Sequence, residues 1–318
     1  MKKRNTIIDL MKGIGIIAVI IGHINDIPYM PYRHIMFSFH MPLFFIIAGW
    51  FHKESSDFRK NIKKNGTRLL YPYAFTALIM IIYHLVLSIK DDDYLDVLKH
   101  IIAAIYASGD IHHSPFLGNV RPIGAIWFLP ALFWCKISFT YLRNKNINLF
   151  FIACISVLAT ICDFYIVNLP FSILPGLSAM MFYMIGYICK NARIPKFYFI
   201  LCILLWPLSI KYSHIYMVQC SYKIYPLAIL GACGGTIVVY LICKLLQSVK
   251  FVSIYLQWIG KMSLVILCWH MIESLCHVFQ LTGLPQQLYV QVPFRIIIPI
   301  IFSIICTKIS LTRKLFQI

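Results

Sequence analysis

Acidic side chains are scarce in this chain, eleven in 318 residues, and charged residues of both signs make up only 13%. A soluble domain carries about 25%, so this sequence cannot dress a water-facing surface. With 60% hydrophobic residues it is neither disordered nor a coiled coil. C-x-x-C pairs are missing altogether. Most of the eleven cysteines sit inside apolar runs, where cysteine behaves as a small buried hydrophobe. No disulfide or zinc framework is therefore expected, and no metal is assigned. Also lacking are an internal repeat, a Pro/Gly-rich linker and an appended soluble domain. The expectation is one membrane-embedded domain over residues 1–318, an all-α integral membrane protein.

What the chain does have is long apolar runs. A spanning helix needs about 20 mostly apolar residues, and ten stretches qualify: 6–25, 34–51, 70–89, 122–142, 148–167, 171–189, 197–213, 224–243, 254–277 and 290–308. Lys2, Lys3 and Arg4 precede the first, but no small-residue cleavage site follows it, and Asp9 and Lys12 interrupt its start. It reads as a retained helix rather than a signal peptide. The formal net charge of +18 comes from short basic clusters between the runs, an arrangement that fixes topology and meets anionic lipid rather than nucleic acid. With the N-terminus inside, 20 of the 29 Lys and Arg residues fall in cytoplasmic segments and six outside. The pattern predicts about ten transmembrane helices with both termini cytoplasmic.

Two connections are long: a basic cytoplasmic loop, 52–69, and an outer loop, 90–121. Within the latter, 94–107 has the apolar spacing of a surface amphipathic helix. His112 and His113 read as a solvated turn there, and Trp127, Tyr222 and Tyr225 as members of an aromatic belt.

A charged residue at membrane depth costs at least ~2.5–3.5 kcal/mol, so each one is a functional candidate. Lys12 and His23 are eleven residues apart, about three helical turns, which puts them on one face about 16 Å apart along the axis. Asp9 shares that face. His40 lies in the second span. The ninth carries Lys261 and then His270 and Glu273 one turn apart, and the tenth carries Arg295. By counting, the three histidines, Glu273 and Arg295 belong to the outer half. Lys12 and Lys261 belong to the inner half, near the basic loop ending at Arg68. Imidazoles suit general base chemistry, because histidine titrates near pH 6.5. Inner cations suit an anionic ligand from the cytoplasm. Acyl-coenzyme A, phosphates at one end and a reactive thioester at the other, has the shape to connect the two sets. An ion-coupled transporter or flippase for a glycan or small solute would also use polar groups at two depths. Gly13 and Gly15 read as close-packing positions.

At these residues the sequence resembles the acyltransferase family 3 membrane proteins, a bacterial group that O-acetylates or otherwise acylates surface sugars. Asp9, Lys12, Gly13 and His23 match its first-helix pattern, with Lys12 in place of the commoner arginine. Phe39 to Phe45 (FHMPLFF) followed by Gly49 looks like its second-helix signature. Weaker likenesses are IWFLPALF (126–133), FYMIGY (182–187) and GKMSLVILCWH (260–270). Many members carry an R-x-R pair before the third helix; here Arg68 is present, but Gly66 takes the other place, with Lys64 and Lys63 as nearby substitutes.

The resemblance implies ten core helices and an O-acyltransferase, most simply an O-acetyltransferase, using acetyl-CoA. Its acceptor would be a hydroxyl of a cell-envelope polysaccharide or its lipid-linked precursor. It places the protein in the bacterial cytoplasmic or inner membrane, in contact with lipid and open to membership of an envelope-synthesis complex. In this reading His23 is the general base. His40 or His270 orients the donor or stabilises the oxyanion, and Glu273 fixes a neutral imidazole. Lys12, Arg68, Lys64 and Lys261 hold coenzyme A phosphates. Direct transfer and an acyl-histidine intermediate both remain open.

Overall fold

The computed structural model describes residues 5–24, 31–55, 57–91, 94–114, 118–165, 169–285 and 287–318. Asn5 starts the first helix, α1 (Thr6–Gly22), by accepting hydrogen bonds from the backbone N–H groups of Ile7 and Ile8, the usual task of an asparagine at an N-cap. It is followed by α2 (Pro31–Trp50), α3 (Phe58–Asp91) and α4 (Tyr94–Tyr106). A short hairpin, β1 (His112–Ser114) with β2 (Gly118–Val120), leads through a 3-10 turn (Gly124–Trp127) into α5 (Phe128–Asn144). Then come α6 (Leu149–Tyr165), α7 (Ile173–Ser178), α8 (Met180–Asn191) and α9 (Lys196–Tyr212). A second hairpin, β3 (Ile215–Tyr216) with β4 (Ser221–Tyr222), precedes α10 (Tyr225–Leu246), α11 (Lys250–Lys261) and α12 (Ser263–Leu275). The chain closes with α13 (Val278–Leu281), α14 (Leu288–Lys308) and α15 (Ser310–Phe316).

Every apolar run read from the sequence is largely helical where described, but the spans are not ten equal rods. Among the described residues five helices are long and apolar enough to cross a membrane, or six if α11 and α12 count as one span. The helices α1, α6 and α9 have 17 residues each, about 25 Å, short of a 30 Å hydrocarbon core. The run of α2 is interrupted by Arg33, His34, His40 and Pro42. The ninth expected span is not one helix: α11 and α12 meet at a 73° bend at Met262. The basic stretch 52–69 is not a loop throughout either, since α3 begins at Phe58 and runs 34 residues. Its Lys- and Arg-rich start favours helix, so those cations stand on a helical rod. The amphipathic helix expected in the outer loop is present as α4.

The helix α1 is central, packed against α2, α10, α11 and α12. Its crossing with α11 is unusually close. A Cβ on Gly260 would sit 1.7 Å from the Asp9 carbonyl oxygen, and one on Gly13 would sit 2.4 Å from that of Leu256. Small residues let helix backbones approach this way in a membrane, where dispersion rather than water expulsion drives association. The contact sets the level of α11 on α1, and the bend at Met262 then turns α12 toward the far end of α1.

Candidate active site

At the C-terminal end of α1 three histidines from three helices converge. The ring centroids of His23 and His40 are 6.4 Å apart, and those of His23 and His270 are 6.0 Å apart. His23 caps α1, and its Nδ1–H donates to the Val19 carbonyl at 2.7 Å. In α2 the His40 Nδ1–H donates to the Met36 carbonyl at 2.6 Å. A carbonyl can only accept, so both rings are held with the proton on Nδ1, and Nε2 is left as the basic nitrogen. Phe37 lies beside both rings, 5.7 Å from His23 and 4.9 Å from His40.

A cavity of about 240 Å³ opens on this cluster, lined by His23, His40, Arg33, Phe37, Asp110, Trp127, Tyr216 and Met271 among others. Sharing Arg33, Phe37, Ile215 and Tyr216 with it is a second hollow of about 380 Å³, which adds Ser38, Ser209, Ser213 and His214. His270 is fully buried behind the cavity, whereas His23 is only partly buried. Glu273 is buried one turn from His270, but its carboxylate is 3.9 Å from Nδ1, beyond hydrogen-bond range. Arg295 is also buried, within electrostatic reach of His270 and 5.8 Å from the ring of Phe279. Trp127, expected in an aromatic belt, is 5% exposed and forms part of the cavity wall.

Cations gather near the N-terminal end of α1. Lys12 stands 4.0 Å from Asp9 and 5.8 Å from the ring of Phe51. Lys136 on α5 is within electrostatic reach of Arg68 and Lys64 on α3. Lys190 donates to the His52 carbonyl at 3.0 Å, and the Arg143 guanidinium lies 5.7 Å from the ring of Tyr187. Lys261 is exposed at the α11–α12 bend, one residue past the Gly260 contact with Asp9. Lys12, Arg68, Lys64 and Lys261 are legible in the sequence as candidates for this cluster. Lys136, Arg143, Lys190 and His52 are not, the first three because from sequence they read only as topology charges.

His52 is buried among Phe139, Tyr183 and Tyr187 and pairs through Nδ1 with the Tyr183 hydroxyl at 3.0 Å. Burial pushes its pKa down to about 4; Lys136, Lys190 and Arg143 push the same way and Glu54 opposes them. Above pH 6.5 the ring is neutral in both folded and unfolded chains, so it has no effect there. As pH falls from 6.5 toward 4 the unfolded chain takes up a proton that the folded one refuses, which removes up to about 3 kcal/mol of stability. Thermal melts across this window should therefore fall more steeply for the native protein than for His52→Phe. Parallel slopes would refute the assignment.

A polytopic helical bundle with a histidine-lined cavity at one end and a cationic cluster at the other defines the class: a membrane protein with a built polar site. A family model described as an acyltransferase domain matches residues 5–312, essentially the whole chain. The chain belongs to acyltransferase family 3. No curated protein and no solved structure matches it.

Proposed function

We propose that this protein is an O-acetyltransferase, moving an acetyl group from acetyl-CoA to a hydroxyl of a cell-envelope polysaccharide or its lipid-linked precursor. The observation that carries this reading is the His23 ring. It lines the cavity with Nδ1 committed to Val19, which leaves a basic Nε2 where a hydroxyl can reach it. In the direct mechanism Nε2 takes the hydroxyl proton as the oxygen attacks the thioester carbonyl. The new C–O bond forms, the C–S bond breaks, and the imidazolium returns its proton to the departing thiolate. His40, the other ring with a fixed tautomer in the cavity, orients the acyl group. His270, buried behind, supports the His23 ring through packing.

In this reading the chain spans a bacterial cytoplasmic membrane ten times, with α11 and α12 as one broken span and both termini cytoplasmic. The cavity then faces outward. Lys12, Arg68 and Lys64, joined by Lys136 and Lys190, face the cytoplasm and receive coenzyme A phosphates, with Lys261 at the margin. The two hollows that share Phe37 and Tyr216 accept the sugar, since aromatic faces and nearby hydroxyls suit a pyranose. The transport alternative expects a matched pair of broken helices; among the described residues only one span, α11 with α12, is broken.

The test uses inverted membrane vesicles with and without the protein, supplied with radiolabelled acetyl-CoA. Label should enter the glycan or lipid-linked fraction only when the protein is present. No protein-dependent transfer from acetyl- or succinyl-CoA, with the native glycan supplied, would overturn the proposal.

A further inference from the structure

Away from the cavity, α3 and α4 bring together three metal-ligating side chains that the proposed chemistry does not use. His84 lies toward the C-terminal end of α3, and Asp96 and His100 lie one turn apart on α4. Each can present one ligand atom, and the three atoms lie within 4.8 Å of one another. His84 Nδ1 is 3.1 Å from Asp96 Oδ2, and His100 Nδ1 is 3.5 Å from the same oxygen. Ligand atoms around a tetrahedral zinc ion, each about 2.0–2.1 Å from the metal, are roughly 3.3 Å apart, and the two edges to Asp96 Oδ2 lie on either side of that value. The two imidazoles stack with centroids 3.4 Å apart and planes 18° from parallel, so joint ligation requires one ring to turn until its in-plane lone pair meets the other's. The other carboxylate oxygen, Oδ1, accepts from the Arg121 guanidinium. That contact orients the carboxylate, as outer partners of metal ligands do, while Oδ2 accepts from the His84 Nδ1–H, a proton that a metal ion would replace.

We propose that His84, Asp96 and His100 bind one divalent transition-metal ion, Zn²⁺ by ligand preference, which fastens α4 to α3. The His100 Nδ1–H now donates to the Asp96 carbonyl at 2.8 Å; ligation through Nδ1 exchanges that bond for the metal, and ligation through Nε2 keeps it. The site matters to the cavity through the chain itself. Gly109 and Asp110, just past the end of α4, stand in the cavity wall, so pinning α4 fixes the start of the segment that builds one side of the acceptor space.

The experiment uses the full chain in detergent micelles, stripped with a chelator and titrated with Zn²⁺ and, separately, Co²⁺. One ion per chain is expected, with a rise in melting temperature of several degrees and a Co²⁺ spectrum of nitrogen and oxygen ligation. His84→Ala, Asp96→Asn and His100→Ala should each weaken binding about tenfold or more while eluting as the native protein does, and a His112→Ala, His113→Ala double variant should not. Should a variant misfold, the native protein's Co²⁺ spectrum still decides. Thiolate bands would place the ion on cysteines and overturn the proposal. So would absence of binding, binding indifferent to all three substitutions, or binding lost instead with His23→Ala.

Discussion

His23→Ala is expected to lower the rate of acetyl transfer roughly 10²- to 10⁴-fold, the usual contribution of a positioned general base, with little change in the KM for acetyl-CoA. The reason is geometric. His23 is the histidine whose ring is partly open to the cavity and whose Nδ1 proton is tied to Val19. His23→Gln should be no better, because an amide restores polarity without basicity. His270→Ala should cost less, since that ring is wholly enclosed behind the cavity and acts on the reaction through His23. Single-turnover assays on folded variants in proteoliposomes separate these effects. Full activity in a correctly folded His23→Ala protein would exclude the base, and a larger loss at His270 than at His23 would reverse the roles.

Gly260→Ala should be among the most destabilising single-methyl substitutions in the chain. Its Cβ would lie 1.7 Å from the Asp9 carbonyl oxygen and 3.0 Å from the Gly13 nitrogen. Those are backbone atoms of α1, which cannot swing aside as a side chain can. The helices must separate, at a cost of about 3 kcal/mol or more, and Lys12 and His23 ride on the helix that moves. Gly66→Ala is the control. There the nearest neighbour is a Phe133 ring atom at 3.9 Å, and removing glycine from a helix interior stabilises by about 0.5–1 kcal/mol. The pair of melting temperatures in micelles should therefore move in opposite directions. Equal small shifts would mean that the α1–α11 crossing is looser than described.

Periodicity reaches only residues that share one segment. Lys12 and His23 fall on one helix, and a spacing of eleven residues is enough to align them. Gly13 was legible as a packing position for the same local reason. The family resemblance, read chiefly from the first two helices, agrees with the family match over residues 5–312. By contrast, a pocket wall is assembled from segments distant in sequence. Asp110, Trp127 and Tyr216 meet His23 only because the outer connection and the second hairpin fold over the end of α1. No local signal marks them, and Trp127 was accordingly misread as a belt residue. His52, Lys136 and Lys190 carry no local signal either, since each looks like an ordinary polar residue within or beside its own helix.

The sequence by itself determined that this is a helical membrane protein, which runs are apolar, and which histidines and cations share a helix face. These are properties of composition and of a 3.6-residue period, and both are complete within a single segment. Only the tertiary structure decided that the ninth run bends by 73° at Met262, that His270 thereby reaches His23, and that His84 stacks on His100 across two helices. Helix crossings are set by contact between backbones and side chains far apart in the chain, as at Gly260 against Asp9, and hydropathy carries no record of which two surfaces will meet.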